Sequence, residues 1–221
     1  MNRFGLEPGS ARLHQAGSGE TCRLPANETQ WHRRDWRTSD EGFRVKRCPG
    51  PRSRPGSFRF PQFNREPLEA QLSKAKIRYE FFGEQLGGRP LDPRFYLPNG
   101  LVDYAARRRA PDFLEAVDRA MAREANTAIL CAEEDPLHCH RFLLICPALV
   151  QRGALPLHLR RGGAVETHRD AEDRLLQLHG FADVTSDSLF AQGREAALED
   201  AMRLQAEQYA FRTSPEAIEY F

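Results

Sequence analysis

Three short strand-like runs, at 77–82, 127–131 and 155–159, are separated by stretches whose apolar residues recur at helical spacing. Runs this short, rich in β-branched and aromatic residues, read as strands. Strands alternating with helices specify a parallel sheet with right-handed crossovers. The expected fold is therefore α/β: a three-layer domain with a short, mostly parallel sheet flanked by helices. Asn64 is placed to cap a helix carrying Leu68, Leu72 and Ala75 on its apolar face, with Pro67 tolerated in the first turn. Residues 83–100, punctuated by Gly87-Gly88 and by Pro90, Pro93 and Pro98, read as loop. A short helix over 101–109 precedes a stronger one after Pro111, with Phe113, Leu114, Val117 and Met121 on one face. The near-continuous apolarity of 127–131 marks a strand covered on both faces. A helix from 139 or 141 to 152 follows, closed by Gly153 and loosened in its first half by Pro147. The run at 155–159 has Pro156 near its start or on an edge. Thr167 and Asp170 approximate a capping box for a helix ending near Gly180, and a last helix spans 193–209.

The first 56 residues differ in texture. They hold 14 hydrophobic residues and 12 glycines and prolines, with no sustained period of helix or strand. Such a segment buries too little apolar area to offset its ordering entropy. The expected organisation is a disordered or non-native segment over 1–56, one α/β domain over 57–212, and a C-terminal tail over 213–221.

Charge narrows the function classes. The chain carries 32 Lys and Arg against 31 Asp and Glu, a net charge of +1, which disfavours a globally basic nucleic-acid binder. The balance is uneven, with 11 basic and 6 acidic groups in residues 1–56. The basic run at 44–54 reads either as a solvated tail or as an arm that attracts nucleic acid. The longest apolar run, 142–150, is too short for a membrane-spanning helix, and the first residues lack a secretory h-region. Five cysteines, odd in number and thinly spread, suit free thiols in a reducing compartment. The expected location is cytoplasmic, with no membrane partner and no cofactor.

The densest reactive cluster is Cys131-Ala132-Glu133-Glu134-Asp135-Pro136-Leu137-His138-Cys139-His140-Arg141. It begins where a buried strand ends and finishes where a helix begins. Ligands of open parallel sheets bind in that crevice, and a helix start offers unpaired N–H groups and partial positive charge. Three readings remain open. In one, Cys139 or Cys131 is a nucleophile, His140 or His138 its base, Glu133 an orienting or proton-carrying group, and Arg141 a clamp for an anion. In another, Cys131, His138, Cys139 and His140 hold zinc, although the spacing fits no standard finger. In the third, Cys131 is a small apolar core residue, and the carboxylates form a cap and ion-pair network with Arg141. The run is not a phosphatase loop, because no Cys is followed by five residues and an Arg.

A second candidate lies at 52–65, where cationic and aromatic side chains interleave around Ser57 and Asn64. Arg52, Ser57, Asn64 and Arg65 are candidate ligand-binding residues for a phosphate or a base. The alternative is a loop anchored by its phenylalanines. Gly87 and Gly88 allow positive φ and a close backbone approach to a ligand, or form a plain turn. His158, inside a strand, reads as a core histidine, and His168 carries little signal.

Taken together, these residues resemble a family of uncharacterised bacterial α/β proteins, domain of unknown function 488. The resemblance runs over about 52–212. In order, it passes through Pro55-Gly56-Ser57, Phe63-Asn64, Leu86-Gly87-Gly88, Leu130-Cys131-Ala132-Glu133, Cys139-His140-Arg141, Gly153 and His158. It implies a compact α/β domain with a site around the two cysteines, and it implies no activity, since the family has no established one. Family sequences open with an apolar strand and a Gly-His-Ser turn, then a helix and a second apolar strand ending in Asp-x-Arg. Here there is no Gly-His-Ser, and the corresponding strand end reads Arg47-Cys48-Pro49-Gly50-Pro51-Arg52. Two prolines and a glycine are not expected in a buried central strand. Residues 1–51 are therefore expected not to be native to the family, through a shifted reading frame or a wrong start, leaving its N-terminal strands missing or altered.

The expected function is an enzyme using a Cys/His/Arg site on an anionic ligand, a small nucleotide-like molecule or a nucleic acid. The alternatives are a non-enzymatic nucleic-acid-binding or repair-associated module and a zinc-stabilised structural domain.

Overall fold

In the computed structural model the described residues are 45–58, 60–121, 126–181 and 191–214. Of the segment expected to be disordered, 1–56, residues 1–44 lie outside them, and 45–56 lie within them. They form a small α/β domain whose centre is a short parallel sheet.

The middle strand is β1, Arg47–Gly50, which pairs in parallel with β2, Arg78–Phe81, from Arg47↔Arg78 to Gly50↔Phe81. On its other side the extended segment 127–130 runs parallel to it. Ala128 N donates to Arg47 O at 2.9 Å and Leu130 N to Pro49 O at 3.1 Å. This corrects the expectation that 47–52 makes no buried strand. All four residues of β1 are buried. Pro49 has no N–H, so the ladder towards 127–130 is thinner at that step, yet its carbonyl still accepts. Gly50 is needed where it stands, because a Cβ there would run into the Tyr79 ring.

Side chains of the sheet divide between two faces, as the strand period of two requires. Leu130 joins Cys48, Ile77 and Leu68 and Leu72 of α1 (Arg65–Lys74). Its neighbour Ile129 joins the larger cluster, with Phe82, Phe113, Val117 and Phe142. Helices thus cover both faces. Asn64 precedes α1, but its side-chain oxygen accepts from Ser57 N at 2.6 Å and not from the helix. Arg47, 5% exposed, reaches the C-terminal turn of α3 (Pro111–Met121), donating to Arg119 O at 2.8 Å, and pairs with Glu80 at 2.5 Å.

Between 101 and 110 only α2 (Tyr104–Arg108) is helical, capped by Asp103. The helix expected from 141 begins as a π-helical turn, Arg141–Ile145, and continues as α4, Cys146–Val150. Cys146 N donates to Arg141 O, the five-residue bond of a π-turn. Pro147 supplies the cause. It has no N–H for the Leu143 carbonyl four residues back, and Arg108 Nη1 donates to that oxygen instead, at 2.8 Å.

The run at 155–159 does not extend the parallel sheet. Its strand β3, Leu157–Leu159, pairs antiparallel with β4, Val165–Thr167, in a separate hairpin. Gly163, at φ +83, helps turn the chain back at once, so the partner is local and no crossover forms. Thr167 caps α5, His168–Leu178, by accepting from Asp170 N at 3.1 Å, and α6, Ala191–Tyr209, packs beside it. No helix among the described residues is long and apolar enough to cross a membrane.

The Arg108 contact is testable. Arg108→Met leaves the Leu143 carbonyl without this donor and should cost about 1–3 kcal/mol in urea unfolding. Arg109→Met, at an exposed position, should stay within about 0.5 kcal/mol of the parent.

Candidate functional site

The loop joining the 127–130 segment to the π-turn folds back on itself because three consecutive carboxylates point in different directions. Asp135 caps a turn of 3-10 helix, Pro136–His138, by accepting from Leu137 N at 3.0 Å. It is gripped by Arg174 of α5 through contacts of 2.7 and 2.9 Å. Glu134 binds Arg161 N and Arg160 beside the β3–β4 hairpin. The expected cap and ion-pair network exists, but its cations are Arg160 and Arg174 and not Arg141. Glu133 turns the other way, towards the thiols.

This folding brings Cys131, Glu133, Cys139, His140 and Arg141 together. Cys131 Sγ donates to Glu133 Oε2 at 2.7 Å, and the same oxygen lies 3.3 Å from Cys139 Sγ. Arg141 Nε donates to Cys139 Sγ at 3.2 Å, and Arg141 N lies 3.4 Å from the same sulfur. The other guanidinium nitrogens reach the carbonyls of Ile129 and Glu133. His140 Nε2 faces Pro51 O at 3.2 Å, and Nδ1 faces Cys131 Sγ at 3.6 Å. A carbonyl can only accept, so Nε2 carries a proton and Nδ1 is the nitrogen that exchanges one with sulfur.

The two sulfurs differ in acidity. Burial raises the Cys131 thiol, and the neighbouring Cys139 and Glu133 raise it further. Burial opposes ionisation of Cys139 too, but the Cys131 hydrogen bond and the positive charges of Arg141 and His140 outweigh it and hold Cys139 well below the ordinary thiol range. His140 is raised: burial resists its charge, and the neighbouring Cys139 and Glu133 overcome that resistance. A thiolate on Cys139, facing a guanidinium that is 3% exposed, is the arrangement these contacts favour. Both sulfurs are buried, Cys131 at 2% and Cys139 at 0% exposure, and Glu133 is the exposed member of the group.

Gly88 packs against this centre. A Cβ there would stand 3.0 Å from the His140 side chain and 3.1 Å from the Tyr104 hydroxyl. Neither Gly87 nor Gly88 has positive φ, so close approach and not turn geometry explains the pair. A Cβ on Gly87 would meet Gly83 O and Ser53 Oγ.

The remaining sequence candidates make their contacts elsewhere than with the thiols. Arg52 donates to Phe63 O, Ser57 and Asn64 bond to each other, and Arg65 stacks over Phe81 at 4.5 Å. His138 does not join the thiols. It is exposed and stacks on Tyr209 at 4.0 Å, so Glu133 takes its place among the four donors that converge. Sequence reasoning missed Tyr104, a buried phenol next to the centre and raised chiefly by burial, and the Pro51 carbonyl. Neither carries a local signal.

Residues 51–146 match the model of a family described as Domain of unknown function DUF488, the family that the sequence resembles. The matched span contains the whole cysteine centre and begins one residue after β1. No curated protein and no solved structure matches the chain.

Asp135 gives the loop a pH signature. Burial resists its charge, but Arg174, Leu137 N and Arg160 pull the carboxyl down to about 2 from 3.8. A carboxyl lowered in the folded state stabilises it above the unfolded pKa, and that stability is lost as pH falls through the folded value. Unfolding free energy should therefore decline from about pH 4 towards pH 2, by on the order of 2 kcal/mol for this group. Asp135→Asn should remove that part of the slope, as read by urea titration at a series of pH values.

Proposed function

We propose that the Cys131–Cys139 centre is the reactive site of a thiol-dependent enzyme acting on an anionic ligand, nucleotide-like or part of a nucleic acid. The observation that carries this reading is the 3.2 Å contact of Arg141 Nε with the Cys139 sulfur, beside a second thiol that has its own acid–base partners. Cys139 is the nucleophile because it is the sulfur held as a thiolate. Its electron pair attacks an electrophilic centre of the ligand. The leaving group departs with its bonding pair and takes a proton from His140. Glu133 orients the Cys131 thiol and, being exposed, swings aside to admit the ligand.

Arg141 acts here as the counter-charge of the thiolate and not as an anion clamp, since its N–H groups face Cys139, Ile129 O and Glu133 O. The ligand's negative charge falls to Arg52 and Arg89. They belong to the segments that wall His140, through Pro51 O and Gly88, and Arg89 N donates to Ser53 Oγ at 3.0 Å.

A second reading has one observation in its favour. Two sulfurs, an imidazole nitrogen and a carboxylate oxygen, from Cys131, Cys139, His140 and Glu133, all lie within 4.8 Å of one another. That donor set suits zinc.

Alkylation separates the two. With iodoacetate at neutral pH, Cys139 should be carboxymethylated at least tenfold faster than Cys22 or Cys146, mapped by mass spectrometry, and iodoacetate should outpace neutral iodoacetamide at this position. Cys139→Ser should abolish the fast reaction. Equal rates at all cysteines would overturn the enzymatic reading. Fast alkylation only after a chelator is added would favour the metal.

A further inference from the structure

A second cluster of donors, unused by the cysteine centre, lies on the other side of the π-turn. Cys146 opens α4, His158 is the middle residue of β3, and His168 begins α5. All three are buried, at 0%, 3% and 6% exposure. One donor atom from each lies within 4.8 Å of the others. The geometry points to a metal site here: we propose that Cys146, His158 and His168 together bind a thiophilic d10 cation, zinc or copper(I), with Glu172 as the outer carboxylate.

The orientation of His168 supports this. Its Nε2 lies 3.4 Å from Glu172 Oε1, which leaves Nδ1 as the nitrogen turned to the cluster. Nδ1 faces His158 Nε2 at 3.1 Å. Two imidazole nitrogens on one zinc ion, each at about 2.0–2.1 Å, stand about 3.3 Å apart in a tetrahedron. A carboxylate on the far nitrogen of a ligating histidine is the usual outer partner, fixing tautomer and ring orientation. Glu172 is itself held, its Oε2 3.3 Å from Arg194 Nη2. The Phe142 ring packs against both imidazoles, with centroids at 5.7 and 4.9 Å, and closes the cluster on the core side.

Charge also balances. For zinc, the divalent ion is matched by the Cys146 thiolate and the Glu172 carboxylate, and the Arg194 guanidinium that holds Glu172 is itself matched by Asp173 at 2.7 Å. On binding, the thiol gives up its proton to solvent and the sulfur lone pair becomes the third ligand. The ion would tie α4 to the β3–β4 hairpin and to the start of α5, where His168 N already donates to Pro156 O at 3.0 Å. Its role is structural, and it does not depend on the chemistry proposed for Cys139.

Metal content of the full chain by mass spectrometry should give zinc or copper and identify which. Cadmium NMR of the full chain reloaded with cadmium should show a resonance of one-thiolate, two-imidazole coordination. It should persist in the Cys131→Ser/Cys139→Ser protein and vanish in Cys146→Ser. Glu172→Gln, which keeps every ligand, should weaken cadmium affinity by about 10–100-fold. This second variant carries the test if Cys146→Ser fails to fold. Absence of the resonance in the parent, its survival in Cys146→Ser, or unchanged affinity in Glu172→Gln would overturn the site.

Discussion

A guanidinium with almost no access to water must find its counter-charge inside the protein, and the organisation around Arg141 follows from that requirement. Its nitrogens reach the end of the 127–130 segment at Ile129 O, the loop at Glu133 O and the helix start at Cys139 Sγ. One side chain thereby ties strand, loop and helix together. Burial alone would push its proton off, yet the facing Cys139 and Cys131 sulfurs and Glu133 hold it on. The same balance read from the other side draws negative charge onto Cys139. The fold of this centre and the acidity of its thiols are one electrostatic arrangement.

The sheet that carries the centre is small, and β1 is its keystone. Four residues, two of them Pro49 and Gly50, accept ladder bonds from both sides and present Arg47 to the end of α3. Pro51, next in the chain, turns its carbonyl to His140. The cysteine centre thus rests on a strand just outside the family's matched span. The segment supporting the cysteine loop and the loop itself come from parts of the chain 89 residues apart at the Pro51–His140 contact.

Much of this could be read from local pattern. The faces of α1 and α3 follow from Leu68, Leu72, Phe113 and Val117, and the cap of α5 from Thr167 and Asp170. The reactive cluster was visible because its members lie within eleven residues and its position, strand end to helix start, is a local inference. β1 was not visible, because two prolines and a glycine mask a strand whose residues are buried by partners 30 and 80 positions away. The β3–β4 hairpin was hidden for a similar reason: periodicity shows a strand but not its neighbour. Cys146, His158 and His168 carry no common spacing, so nothing local connects them.

By itself the sequence determined the α/β alternation, most helix faces and caps, and the gathering of two thiols, an imidazole, carboxylates and a guanidinium in one loop. These depend on residues a few positions apart, whose geometry the backbone period sets. Tertiary structure alone decided which carboxylate turns to the thiols, which sulfur is the more acidic, that Arg141 faces inward, and that β1 lies at the centre of the sheet. Those outcomes depend on burial and on charges brought by distant segments. Desolvation and Coulomb energy act through space, with no regard for separation along the chain.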